Sequence, residues 1–435
     1  MLLVYSHTIT PRVRYIFKHL LTRILQIPID FTSRVEDFVA HNGPKFSYTK
    51  VALGKEFFVK SHDLLFQQGV RDVEIHVQRW DRVPCFFLQG AKSDIPFDIF
   101  AASFYLISRY EEYLPHIKDH YGRFEAAESI AFKEGFLEKP VVDIWAFKFL
   151  AELQKRFPDY QYTKRQYQFI STIDVDNAFA YKHKSFIRTL GGFLKDTYEL
   201  KIFNLWDRFA VRFNIKKDPF DTFDRIIRLK AEHDVRTVFF FLIGDYTTYD
   251  TNVSASKTKF KLLIKDMVDY ARVGLHPSFY TMHDLDLLKM EKERLEQITN
   301  LPIKRSRQHY LRFSLPDTYQ KLIDLEITED YSMGYASHAG FRASTCTPFY
   351  FYDLDFEIQT PLKVFPFAVM DTTLNDYMKL TPKQALGKIR DLKNEVKQVQ
   401  GVFITLFHNE SLSGYLRWRG WSRLYGSMLK IAKRG

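Results

Sequence analysis

The segment FISTIDVDNAFAYKH, residues 169–183, drives an apolar run into two acids, Asp174 and Asp176, two positions apart. Side chains alternate faces along a strand, so both carboxylates project from one face at its C-terminal end. Like charges held that close repel one another without a cation between them. Residues of matching chemistry recur at the ends of later apolar runs. His276 closes VGLH, Arg307 and His309 lie in SRQHY, Asp330 opens DYSMGY and His408 ends VFITLFH. Carboxylate oxygen and neutral imidazole nitrogen are the usual ligands of a borderline-hard divalent ion. Such an ion acidifies a bound water enough to give a nucleophile near neutral pH, with a second carboxylate as base and a separate histidine as acid. The chemistry on offer is metal-assisted hydrolysis.

Those residues must be brought to one place by the elements between them. After the polar, proline-led stretch PDYQYTKRQ the pattern alternates strand and helix. RTVFFFLIG reads as a strand buried on both faces, KLLIKDMVDYA as a helix, VGLH as extended, LDLLKMEKERLEQI as a helix and IKRSRQHY as extended. DTYQKLIDL and PKQALGKIRDLKNEVKQV follow as helices, and GVFITLFHN as a late strand. This alternation predicts a parallel sheet, open or closed into a (β/α) barrel, whose functional groups collect at the C-terminal strand ends. The earlier residues mix short strands (MLLVYS, VEIHVQ, CFFLQG) with helices over Phe97–Leu114 and VVDIWAFKFLAELQKRF. A smaller α+β module over 1–160 and a second unit over 165–435 are expected.

Composition narrows the class. At 435 residues, with 46% hydrophobic and 26% charged residues, the chain has the composition of a folded soluble protein, too long for one ordinary core. The net charge of +11 suits an anionic surface, yet basic clusters such as KHKSFIR and LKIAKRG are short and scattered. None interleaves with aromatics as a nucleic-acid module would, so no nucleic-acid partner is expected. Cys85 and Cys346 fit neither a disulfide framework nor a Cys-x-x-Cys knuckle, which suits a reducing compartment. The N-terminus lacks a basic region ahead of its apolar residues and reads as a first strand, not a signal peptide. No apolar run approaches the roughly 18 residues of a membrane span. The expected location is the cytoplasm, with peripheral contact at the inner membrane face.

The order of an acid-rich first strand, Gly-x-His, an Arg-containing strand, an Asp-containing strand and a late hydrophobic-x-His resembles the polysaccharide deacetylase family, carbohydrate esterase family 4, with its NodB-homology fold. The resemblance covers roughly residues 165–435 and implies a deformed (β/α) barrel. It further implies a metal-dependent hydrolase that removes N-acetyl groups from a bacterial polysaccharide or glycan precursor. On that resemblance Asp174 is the catalytic base, Arg307 orients it and His408 protonates the leaving amine. Asp176 and His276 would hold a divalent metal, zinc or else cobalt or nickel. The family's second motif histidine is missing: Tyr280 stands four residues after His276. His309 is the favoured replacement and His283, followed by Asp284 at a helix start, the alternative. Asp330, Tyr335 and Arg342 are candidates for lining the sugar site. Two rival readings stay open, a catalytically silent carbohydrate-binding or scaffolding protein and an amide hydrolase of a small non-sugar substrate.

Overall fold

The computed structural model describes residues 1–90, 92–183, 198 and 202–433. Parts of both basic clusters, residues 184–188 and 434–435, lie outside the described residues. Near the N-terminus, β1 (Leu2–Tyr5) pairs in parallel with β2 (Ile29–Thr32) and β3 (Lys45–Thr49), and β3 with β4 (Phe57–Lys60). Of the four, sequence patterning found only β1, because β2 to β4 are short strands of 4, 5 and 4 residues without a long alternating stretch. VEIHVQ and CFFLQG contribute instead to a small hairpin of β5 (Gln78–Trp80) and β6 (Val83–Cys85). The helix Ile99–Ile107 is buried along its whole length, as a helix apolar on every side must be. Asp98 caps it, accepting from the amides of Phe100 and Ala101.

The second sheet has nine strands: β7 (Gln168–Val175), β8 (Arg236–Leu242), β9 (Arg272–His276), β10 (Arg305–Ser306), β11 (Glu329–Asp330), β12 (Phe349–Asp353), β13 (Ile358–Val364), β14 (Val369–Met370) and β15 (Val402–His408). Their hydrogen-bonded order is β12-β13-β11-β10-β9-β8-β7-β15-β14, and all pairs are parallel except β12 with β13. This is the mixed α/β architecture expected, with a large parallel-rich sheet. Strand parity sorts the side chains. Ile170 of β7, Val238 and Phe240 of β8, and Ile404 and Leu406 of β15 share an apolar cluster with Tyr331, Phe365 and Phe367. Their alternates Ile173, Phe239, Phe241, Phe403 and Phe407 pack outward into the main core under the helices. Strands far apart in the order thus meet on one face, which requires the sheet to curl. Gly274 lies on that crowded inner face, where a Cβ would come within 2.6 Å of the Phe240 ring.

The N-terminal residues are joined to the second sheet by buried charge. Arg12, 1% exposed, forms a two-point pair with Glu357 just before β13. Glu112 holds both Arg109 and, at 2.9 and 2.6 Å, the guanidinium of Arg342. Asp143 of the helix Val141–Arg156 accepts from Thr345 Oγ1 at 2.6 Å and the Cys346 amide at 3.0 Å, and pairs with Arg165 at 2.8 Å. No helix among the described residues is long and apolar enough to cross a membrane.

Candidate metal centre

Register and parity build the site. His408 lies directly opposite Asp174 in the β15–β7 pairing, and Leu242 opposite His276 in the β8–β9 pairing. Thr172, Asp174 and Asp176 continue the inner face that begins at Ile170, and His408 continues that of Ile404 and Leu406. Around Asp176, which is 25% exposed, three imidazoles converge: His276 Nε2 at 3.2 Å from Oδ1, and His309 Nε2 and His408 Nε2 each at 3.6 Å from Oδ2.

Each imidazole is held by its other nitrogen. His276 Nδ1 donates to the Arg307 carbonyl, His309 Nδ1 to Asp250 Oδ1 at 2.7 Å and His408 Nδ1 to Asp371 Oδ1 at 2.7 Å. Such acceptors fix the tautomer that leaves Nε2 with a lone pair, as metal-ligating histidines require. Ligand atoms of Asp176, His276 and His309 all lie within 4.8 Å of one another. Asp176 Oδ1 is buried without a hydrogen-bond partner, although His276 Nε2 stands 3.2 Å away. Lone pairs that face one another across a shared point suit a cation better than a hydrogen bond, so the donor set fits a divalent ion.

The electrostatics agree. Burial would raise the Asp176 carboxyl, but the His309 and His408 imidazoles hold it well below the usual carboxylate range. Burial would lower His309, yet Asp176 and Asp250 push it up to about 9. His408 behaves likewise: burial opposes the shift, and Asp371 with Asp176 holds it well above an ordinary imidazole. Protons and a dipositive ion compete for the same concentrated negative field.

Asp174 stands beside this group, its Oδ2 3.8 Å from His276 Nε2. Its Oδ1 accepts from Arg307 Nη1 at 2.9 Å, and the same Nη1 donates to Thr172 Oγ1 at 2.6 Å. Arg307 is fully buried, anchored through Nε to the Tyr331 carbonyl at 2.9 Å and packed against the Phe240 ring. A cavity of about 430 Å³ opens over these groups, lined also by Arg123, Tyr310, Tyr377 and Arg417.

Other expectations fare differently. SRQHY is not one strand: β10 stops at Ser306, and His309 sits in a short 3₁₀ turn, His309–Leu311. His309 therefore reaches Asp176 through the turn, not by sharing a strand face with Arg307. His283 is exposed, its Nε2 3.2 Å from Arg312 Nη2, and does not reach the cluster. Tyr280 is 47% exposed and lies edge-on to Phe279. Asp330 falls on the outward parity of β11, where Ser306, Ser332 and Tyr319 hydroxyls and the Ser332 amide saturate it. Tyr335 accepts from Arg109 at 3.1 Å, and Arg342 is bound to Glu112. Both line a neighbouring cavity, not the one above the histidines. Asp250 and Asp371 were not foreseen. Asp371 directly follows β14, the same strand-end signal that marks Asp174, whereas Asp250 lies in a polar loop with no such mark.

Comparison with known proteins adds little chemistry. Residues 2–158 match a family of unknown function (DUF7033). No curated protein matches the chain. Among solved structures, a candidate polysaccharide deacetylase from Mycobacterium smegmatis is 13% identical, covering 63% of this chain and 86% of that one, with a TM-score of 0.41. A polysaccharide deacetylase from Bacillus cereus is 12% identical over 62% of this chain and 87% of its own, with a TM-score of 0.31. A CE4 family pseudoenzyme from Bacillus anthracis is 14% identical over 63% of each chain, with a TM-score of 0.30. Likenesses this distant transfer no activity, and catalysts and a pseudoenzyme stand side by side among them.

Proposed function

We propose that the chain is a metal-dependent amide hydrolase that removes N-acetyl groups from an acetamido sugar of a glycan or glycan precursor. One observation carries the reading. Three imidazoles, each fixed at Nδ1, converge on Asp176 while a second carboxylate, Asp174, is clamped beside them by Arg307. A structural metal site has no use for that extra carboxylate and its buried arginine. The curled parallel sheet is read as a deformed barrel, because inner-face residues of β7, β8 and β15 share a cluster with residues following β11 and β13.

Asp176, His276 and His309 would hold the ion, which supplies Lewis acidity toward an amide carbonyl and toward water. Asp174, aimed by Arg307, takes a proton from the attacking water as the new C–O bond forms. Asp371 fixes His408 so that its Nε2 faces the site, positioned to hand a proton to the amine as the C–N bond breaks. Without that proton the amine is a poor leaving group.

The test is acetate release from N-acetylglucosamine oligosaccharides by zinc- or cobalt-loaded protein, compared with Asp174→Asn. Release that the substitution abolishes while bound metal persists supports the reading. A protein that binds metal and releases no acetate from any acetylated sugar refutes it.

A further inference from the structure

A second cavity of about 240 Å³ opens beside the first and shares Arg123, Leu311, Ala336 and Tyr377 with it. These four residues form a wall common to both. One wall of the second compartment is residues 119–127, inside the segment that matches a family of unknown function, and the other is the stretch around 334–342.

The wall from the N-terminal residues is fastened to the metal centre. An antiparallel bridge between Lys118 and Phe124 forms the base of a tight excursion. Arg123 Nη1 donates to the Tyr310 carbonyl at 2.7 Å, one residue from His309. In return, Arg312 Nε donates to the Tyr121 carbonyl at 2.9 Å. These crossed bonds hold the excursion at a fixed distance from the histidine that faces Asp176.

Charge selects what enters. Each arginine lining either compartment is already paired: Arg123 with Asp119 at 2.6 Å, Arg342 with Glu112 at 2.6 Å, and Arg417 with Glu410 at 2.8 Å and Asp376 at 3.1 Å. Glu125 adds a carboxylate to the lining of the second compartment. An anionic unit would find no arginine free to pair with it, whereas a hydroxylated neutral unit meets paired polar edges.

We propose that this second compartment binds the sugar unit next to the one presented at the metal centre, that the unit is uncharged, and that residues 119–127 set this preference. The inference rests on the deacetylase reading for the identity of the first unit. It makes the substrate an oligosaccharide and gives the N-terminal segment a role in selecting it.

The experiment is calorimetric binding of N-acetylglucosamine, its disaccharide and its tetrasaccharide to the metal-loaded full chain carrying Asp174→Asn, alone and combined with Ala127→Trp. Ala127 is exposed on the compartment wall, so the larger ring blocks the space without disturbing the core. Ser337→Trp, on the opposite wall, is the second blocking variant. The expected result is affinity about tenfold higher for the disaccharide than for the monosaccharide, with the ratio falling to about one in both blocked proteins. A disaccharide bearing a carboxylate on its second unit should bind no better than the monosaccharide. Equal affinity at all lengths, or a length effect that survives both tryptophans, overturns the proposal. Acetate release by the wild-type chain is scored separately. Length-dependent binding without any release would sink the deacetylase reading and leave the compartment standing.

Discussion

Replacing Asp250 by asparagine tests whether the carboxylate behind His309 makes that imidazole a metal ligand. Asp250 is buried, accepts from His309 Nδ1 at 2.7 Å, and receives the Phe279 amide at both oxygens, 3.0 and 3.2 Å, and Thr247 Oγ1 at 2.8 Å. An asparagine has one oxygen for these donors. If it serves His309, the amide nitrogen faces the Thr247 hydroxyl and only tautomer strength is lost. If it serves Phe279 and Thr247, the amide N–H points at Nδ1, drives the proton to Nε2 and removes the lone pair aimed at Asp176. Outer carboxylates of this kind are worth about 10- to 100-fold in metal affinity, or roughly 1.4–2.7 kcal/mol. Zinc affinity by competition with a chromophoric chelator should fall by that amount in Asp250→Asn. Asp371→Asn supplies the contrast, since Asp371 holds His408, the proposed acid, and not a proposed ligand. It should leave zinc affinity unchanged and lower turnover by about 10²- to 10⁴-fold. Unaltered zinc binding in Asp250→Asn, or zinc loss in Asp371→Asn, would show that the ligand and acid roles have been assigned to the wrong histidines.

Three further expectations concern stability and ligation. Burial pushes the Glu291 carboxyl up to about 7 despite its bonds from Ser278, so between its ordinary value and pH 7 the folded state holds a proton that the unfolded chain has lost. Stability therefore falls as pH rises through that window, by at most about 3 kcal/mol, and is flat above it for this group. Urea unfolding at pH 5 and pH 8 should show a smaller loss in Glu291→Gln than in wild type; parallel losses would contradict it. Glu357→Gln leaves the Arg12 guanidinium buried and half paired, and should cost about 3–5 kcal/mol, read as a lower thermal midpoint. His283→Ala should retain full metal stoichiometry while His309→Ala loses the ion, measured by elemental analysis.

The convergence of Asp174, Asp176, His276, Arg307 and His408 was legible because strand ends advertise it. A continuous apolar run that stops at Asp174, His276 or His408 leaves few positions for a buried polar residue, and the alternating pattern places those stops at one end of one sheet. Parity misled where strands were too short to count. β11 has two residues, so nothing in the sequence says that Asp330 turns outward toward Tyr319 while Tyr331 turns in. The partners that orient the histidines were hidden for another reason. His309 and Asp250 are 59 positions apart, and His408 and Asp371 are 37 apart, distances bridged only by the tertiary fold. The short parallel sheet of β1 to β4 was missed because strands this short, paired in parallel, leave no hairpin signal.

The buried acids Glu112 and Asp143 carry a lesson about inheritance. Both lie before the polar stretch where a boundary would be drawn, yet their partners Arg342, Thr345 and Cys346 lie far beyond it. A gene cut at that stretch would strand a guanidinium and several hydroxyl and amide donors inside the remaining half. Recombination that gave the histidine-bearing half a new leading segment would have to restore an acid at both places at once. The two halves are thus expected to travel through evolution as one unit, and attempts to produce either by itself should yield aggregates.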